Sequence, residues 1–132
     1  MIEEKALLSL LEEARKGSQQ AYAPYSGYRV GAALLCSSGE IVIGCNVENS
    51  SFSLTICAER NAVFHAVAEG IRDFAGLAIW VESDVLFPPC GACRQVLTEF
   101  NPELPIIYGN KNQYIITDLG RLLPSAFSLN RT

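Results

Sequence analysis

A chain of 132 residues fits one domain, because domains cluster at roughly 100–150 residues. Its composition, 49% apolar and 18% charged, is too apolar for disorder, yet no run approaches the ~18 uncharged apolar residues of a membrane span. Ten basic residues against fourteen acidic ones leave a net charge of −4, which argues against a nucleic-acid polymer or a membrane surface as the main partner. The opening stretch, MIEEKALLSLLEEARK, has acids where a signal peptide would be basic, so a cytoplasmic location is expected.

Residues 3–21 place Leu7, Leu8, Leu11 and Ala14 at helical spacing with charged residues between them, which predicts an amphipathic helix. Residues 22–28 read as loop. Residues 29–36 and 40–46 flank Ser37-Ser38-Gly39, a β-hairpin signal. Residues 47–54 look irregular, and residues 56–69 suit a helix that stops at Gly70. Residues 76–82 form a buried strand candidate. Pro88-Pro89 must be extended. A helix then runs from about Cys90 to Phe100, before Pro102, and residues 105–109 and 113–117 read as strands. Asp118 is placed to cap a last short helix through Leu123. Helices alternating with buried strands predict a three-layer α/β/α sandwich in one domain spanning residues 1–132, its five-stranded sheet made mixed by the opening hairpin.

The five cysteines are Cys36, Cys45, Cys57, Cys90 and Cys93. An odd count without a secretion signal is poor support for a disulfide framework. Cys90 and Cys93 are three apart, so a helix carries them on one face. Cys57 opens another predicted helix and can supply a third thiolate. Helix N-termini favour thiolates, and soft ligands favour zinc. Structural zinc is usually closed by four protein ligands, whereas catalytic zinc keeps a position open for water. Glu59 is close enough to Cys57 to face that water without binding the metal, so it is a candidate proton shuttle. Three thiolates on Zn²⁺ sum to about −1, which nearby positive charge would offset. Arg60 is expected to donate hydrogen bonds to the ligand sulfurs, with Gln95 a weaker candidate for holding it. Cys36 and Cys45 lie in apolar strand candidates and read as core thiols; further ligands of a structural site are the alternative. His65 is about 80° off the Cys57 face of its helix and reads as no ligand. Trp80 reads as core and Arg94 as a solvated helix residue.

Cys57-Ala-Glu-Arg60 followed by Pro89-Cys-Gly-Ala-Cys93 resembles the zinc-dependent cytidine deaminase family. The likeness extends to Tyr22-Ala-Pro-Tyr-Ser26, Val30-Gly-Ala-Ala-Leu34, Gly44-Cys-Asn-Val-Glu-Asn49, Arg94-Gln95 and Leu123-Pro-Ser-Ala-Phe127. It is greatest to the short, homotetrameric branch that holds zinc with three cysteines. The resemblance implies hydrolytic deamination of cytidine and 2′-deoxycytidine to the uridine nucleosides plus ammonia, in pyrimidine salvage. Hydroxide held by one Zn²⁺ per subunit would attack C4, with Glu59 moving the protons. It further implies that Asn46 and Glu48 bind the ribose, that the backbone of Ala58 binds the pyrimidine edge, and that Tyr28 packs on the base. Phe52 and Phe127 match aromatics that reach a neighbouring subunit's site, so active sites would be shared across the homotetramer.

Without the resemblance, Asn46 and Glu48 read as loop polars, Tyr28 as a surface aromatic and Phe127 as a terminal docking residue. A deaminase of another cytosine nucleoside, of the blasticidin S kind, is the near alternative. A nucleotide deaminase is disfavoured because no Lys/Arg cluster stands near the motifs. A structural zinc module that binds a protein partner is the alternative from a different class, and it predicts four ligands and an expendable Glu59. A nucleic-acid editor is disfavoured by the charge.

Overall fold

The computed structural model describes residues 2–129. The chain runs α1 (Glu4–Ser18), β1 (Val30–Cys36), β2 (Ile41–Cys45), a short 3₁₀ turn (Phe52–Leu54), α2 (Ala58–Ala68), β3 (Phe74–Val81), α3 (Gly91–Thr98), β4 (Pro105–Gly109), β5 (Tyr114–Asp118) and α4 (Leu119–Leu122). All the elements expected from periodicity are present, and only the 3₁₀ turn was not anticipated. Helix α1 ends earlier than its pattern suggests because Tyr22 leaves to bridge Val47. Gly70, at φ +84°, follows α2 as expected of a C-terminal glycine. The Asp118 side chain caps α4 by accepting from the Arg121 N–H at 2.9 Å.

The sheet order is β2-β1-β3-β4-β5. Strand β1 is antiparallel to β2 and β3, β3 is parallel to β4, and β4 is antiparallel to β5. Successive strand residues point to opposite faces, and the burial follows that alternation. Ala33, Ala78 and Ile107 are neighbours across three strands and pack under Leu7, Leu10, Leu11 and Ala14 of α1. On the other face Leu34, Leu77 and Ile106 form the matching row and pack with Ala58, Ala62, Val63 and Ala66 of α2 and with Leu97 of α3. Leu8, expected in the stripe, is instead 37% exposed. It sits about 100° around the helix from Leu7, whereas Leu10 falls on the buried side.

Two glycines set how closely the helices approach the sheet. A Cβ on Gly31 would stand 1.9 Å from the Ala14 carbonyl oxygen of α1. One on Gly44 would stand 2.4 Å from the Ala62 nitrogen and 2.5 Å from the Ala58 oxygen of α2. Backbone meets backbone at both places, so no side chain can yield. The expected covering of both faces is incomplete at the edge: Tyr114, Ile115 and Ile116 of β5 remain 42%, 40% and 38% exposed. Among the described residues, no helix is long and apolar enough to cross a membrane.

Gly44→Ala should therefore destabilise the fold by ~2 kcal/mol or more, read by denaturant unfolding. An unchanged midpoint and slope would show that α2 is free to move off the sheet.

Candidate active site

Cys57 and Cys90 occupy equivalent positions: each is the N-cap of its helix, α2 and α3 respectively, with extended backbone and no capping bond from its side chain. Both thiols are thus left for another use. Cys93 follows on the first turn of α3 and is fully buried. The sulfurs of Cys57 and Cys90 are 3.8 Å apart, those of Cys90 and Cys93 are 3.4 Å apart, and all three lie within 4.8 Å of one another. Zn–S bonds of about 2.3 Å in tetrahedral geometry put sulfurs about 3.8 Å apart, so the cluster fits one zinc ion. Among the described residues the group closes at three; no His, Asp or Glu joins it. Three ligands leave a coordination position for water, which distinguishes this cluster from a closed structural site.

The electrostatics match that use. Hydrogen bonding from Cys93 and Arg60 lowers the Cys57 thiol to about 5, against the opposing effect of burial. Cys93 is pushed up, first by its bond to Cys57 and then by burial. Arg60 donates through Nη2 to Cys57 Sγ at 3.3 Å. Its Nε is buried without a partner among the described residues. The guanidinium therefore brings positive charge against the thiolates. Glu59 is buried, and burial raises its carboxyl to about 7, with the Cys57 charge adding to the rise. A carboxyl near neutrality can both accept and release a proton.

These residues open onto a cavity of about 300 Å³. Cys57, Ala58, Glu59 and Cys90 line one part of it, and Val30, Asn46, Phe52, Ile79 and Phe87 line others. Among the described residues no Lys or Arg lines it, so it suits an uncharged ligand better than a phosphorylated one. Asn46 accepts from the Val30 N–H at 2.9 Å and donates to the Tyr28 carbonyl at 2.8 Å. Each end of its amide keeps further hydrogen-bonding capacity.

Other residues singled out from the sequence are placed differently. The Glu48 carboxylate is buried and accepts from the Tyr25 and Ser26 N–H groups at 3.0 Å, and from the Ser26 hydroxyl. These bonds, the hydroxyl's first, hold its carboxyl below the usual range. Tyr28 does not line the cavity; its ring meets Phe87 edge-on, with centroids 5.0 Å apart at 89°. Gln95 donates to the Phe127 carbonyl at 2.9 Å rather than to Arg60. Phe127 is 63% exposed and borders a separate hollow beside Glu99 and Glu103. Phe52 is 58% exposed and lines the same cavity as Cys57 and Glu59.

Arg94, expected to be solvated, is half-buried and clamps the ligand loop. Its Nε donates to the Pro89 carbonyl at 2.7 Å and its Nη1 to the Leu122 carbonyl at 2.9 Å. Both acceptors are backbone atoms, so no residue type in the sequence signals them. Asn61 was also missed; it donates to the Cys45 carbonyl at 2.8 Å and ties α2 to β2. Cys36 is buried and Cys45 half-buried, both outside the thiol cluster. His65 is exposed, with Nδ1 3.0 Å from the Ile43 carbonyl. Trp80 packs against the core under α1.

Comparison with known proteins agrees with this geometry. Residues 4–108 match the family model described as the cytidine and deoxycytidylate deaminase zinc-binding region. A cytidine deaminase of Sporosarcina psychrophila is 49% identical over 121 residues, covering 90% of this chain and 89% of that protein. One of Halalkalibacterium halodurans is 44% identical, covering 90% and 92%. The crystal structure of cytidine deaminase from Burkholderia pseudomallei superimposes with a TM-score of 0.87 at 44% identity, covering 96% of this chain and all of that one.

Arg60→Ala should weaken zinc affinity by roughly tenfold or more, the usual cost of losing a group that orients a metal ligand. Competition with a chromogenic chelator reads this directly, and affinity equal to wild type would remove Arg60 from the metal centre.

Proposed function

The chain belongs to the cytidine and deoxycytidylate deaminase zinc-binding family, and from that premise we propose that it hydrolyses cytidine and 2′-deoxycytidine to uridine and 2′-deoxyuridine, releasing ammonia. The observation that carries the reading is the three-thiol cluster beside buried Glu59, in a cavity that no Lys or Arg among the described residues lines. Cys57, Cys90 and Cys93 hold the zinc ion, which when bound supplies a water of lowered pKa as the nucleophile.

The chain's own residues do the rest. Glu59 takes a proton from water and delivers it to N3 of the pyrimidine, which makes C4 electrophilic. Once the water oxygen has bonded to C4, Glu59 takes its remaining proton and passes it to the 4-amino group, which leaves as ammonia as the C4–N bond breaks and the C4 carbonyl forms. Its position near neutrality suits both transfers. The Ala58 backbone binds the pyrimidine edge. Asn46 and Glu48 bind the ribose hydroxyls. An ionised carboxylate has about four acceptor sites, and Glu48 uses three on the Tyr25–Ser26 loop, so one remains for a hydroxyl. Tyr28 packs on the base, its ring set edge-on against the cavity-lining Phe87. Arg60 disperses the excess negative charge of the thiolates.

The enzyme acts in cytoplasmic pyrimidine salvage as a homotetramer. Exposure of Phe52, Phe127, Ile115 and Ile116 in one subunit supports burial between subunits, with Phe52 and Phe127 completing neighbouring sites.

Zinc-loaded protein mixed with cytidine, deoxycytidine and CMP should release ammonia from the two nucleosides and little from the nucleotide. Glu59→Ala should keep its zinc and lose turnover by ~100-fold or more. A zinc-replete wild type inert toward every cytosine nucleoside overturns the reading. Sedimentation velocity should give a four-subunit species; a monomer at micromolar concentration rejects the shared sites.

A further inference from the structure

The three thiols of the cluster are not held alike. Cys93 is buried and Cys57 half-buried, but Cys90 is exposed. Close-packed neighbours fix a buried side chain; an exposed one takes its position from its backbone. Arg94 bonds to the peptide groups on both sides of Cys90. Its N–H donates to the Cys90 carbonyl at 3.0 Å, and its Nε donates to the Pro89 carbonyl at 2.7 Å. A peptide unit is planar, so holding the Pro89 oxygen holds the plane that ends at the Cys90 Cα. We propose that Arg94 is a positioning residue of the metal centre, which fixes the exposed ligand Cys90 against α4 and so makes zinc affinity depend on an element that carries no ligand.

The link to α4 is the third bond of the same side chain. Nη1 of Arg94 donates to the Leu122 carbonyl at 2.9 Å, 28 positions along the chain. Nε and Nη1 donate from different edges of one rigid plane, so the Pro89 and Leu122 carbonyls are set at a fixed separation. Bonds from a charged donor are also stronger than those between neutral groups. Lysine is a point donor on a flexible stem and reproduces neither feature.

Helix α4 is itself anchored in the core. Leu119 is fully buried in the same cluster as Leu97 and Leu104, and its N–H donates to the Leu104 carbonyl at 2.8 Å. Asp118 caps the helix through the Arg121 N–H, and the Leu123 N–H closes its turn on the Leu119 carbonyl at 2.8 Å. Restraint therefore runs from the core through α4, Leu122 and Arg94 to the two peptide groups around Cys90. None of the clustered thiols belongs to α4, so a change there reaches the metal only along this path.

The test compares wild type, Arg94→Met, Arg94→Lys, Asp118→Ala and the Asp118→Ala/Arg94→Met double variant. Three readouts are taken: zinc affinity by competition with a chromogenic chelator, the thiolate-to-metal charge-transfer band of cobalt-substituted protein, and unfolding of the metal-free protein in denaturant. Methionine keeps the apolar stem of Arg94 and removes its donors. Arg94→Met should lower zinc affinity by roughly tenfold or more and weaken the cobalt band, because the Cys90 thiolate loses its placement. Arg94→Lys, which reaches one carbonyl at a time, should fall between. Asp118→Ala should lower zinc affinity in the wild-type background and add nothing in the Arg94→Met background, the signature of an effect carried by Arg94. Folded Arg94→Met with zinc affinity within about twofold of wild type overturns the proposal, even if its metal-free unfolding midpoint falls, since that marks a purely structural arginine. A wild-type cobalt band in Arg94→Met, or an Asp118→Ala effect of the same size in both backgrounds, overturns it as well. Should Arg94→Met fail to fold, Arg94→Lys decides, and zinc affinity equal to wild type overturns the proposal. Metal binding and not turnover is read, so a negative result leaves the deaminase reading standing, and a zinc-binding wild type that consumes no cytosine nucleoside removes that reading alone.

Discussion

Everything functional in this molecule depends on the meeting of two helix N-termini. Cys57 caps α2 and Cys90 caps α3, and their sulfurs come to 3.8 Å. Such a meeting needs both helices held against one sheet face, where their core residues pack together. Gly44 allows α2 to lie with its backbone against β2, and Asn61 ties it there through the Cys45 carbonyl. The Pro88-Pro89 segment delivers α3, and Arg94 locks that segment to the start of the C-terminal tail. The core residues of α2 and α3 contribute the bulk of the stabilisation, since each buried leucine or valine is worth roughly 1.5–3 kcal/mol. The tethers decide where that packing leaves the sulfurs.

The same meeting shapes the electrostatics. Both helix N-termini present partial positive charge to the thiols, and Arg60 adds a full one. Without them, thiolates packed this closely would repel each other and hold their protons. Glu59 lies buried beside them, where desolvation and the nearby sulfur charge disfavour its ionised form. Favouring charge on sulfur and disfavouring it on the adjacent carboxyl are two results of one arrangement. That division is the one the proposed mechanism draws on, with Cys57 as a metal ligand and Glu59 as the proton carrier.

The surface of the chain is less complete than its core. Strand β5 keeps three successive apolar side chains exposed, and Phe52, Leu54 and Phe64 are also exposed. Exposed apolar side chains in a contiguous patch mark surfaces available for contact, and on β5 three of them are consecutive. A sandwich with one helix on one face and three on the other does not cover its outer strand by itself.

Much of this was legible in the amino-acid order because it is local. The CxxC pair lies on one helix face by arithmetic, Glu59 follows Cys57 by two residues, and Asp118 caps the helix that begins beside it. Periodicity likewise set the kind and order of the elements, though Leu8 and Leu10 exchanged places because a single turn of helix holds more leucines than its buried face can take. The tertiary structure alone decided the long-range partners. Arg94 reaches Leu122, Gln95 reaches Phe127, Glu48 reaches back to Ser26, and Phe87 rather than Tyr28 lines the cavity. Most of these contacts end on backbone atoms or on the relative placement of two loops. Residue type carries no record of either, because any residue can supply a carbonyl, and loop placement follows from how the helices pack on the sheet.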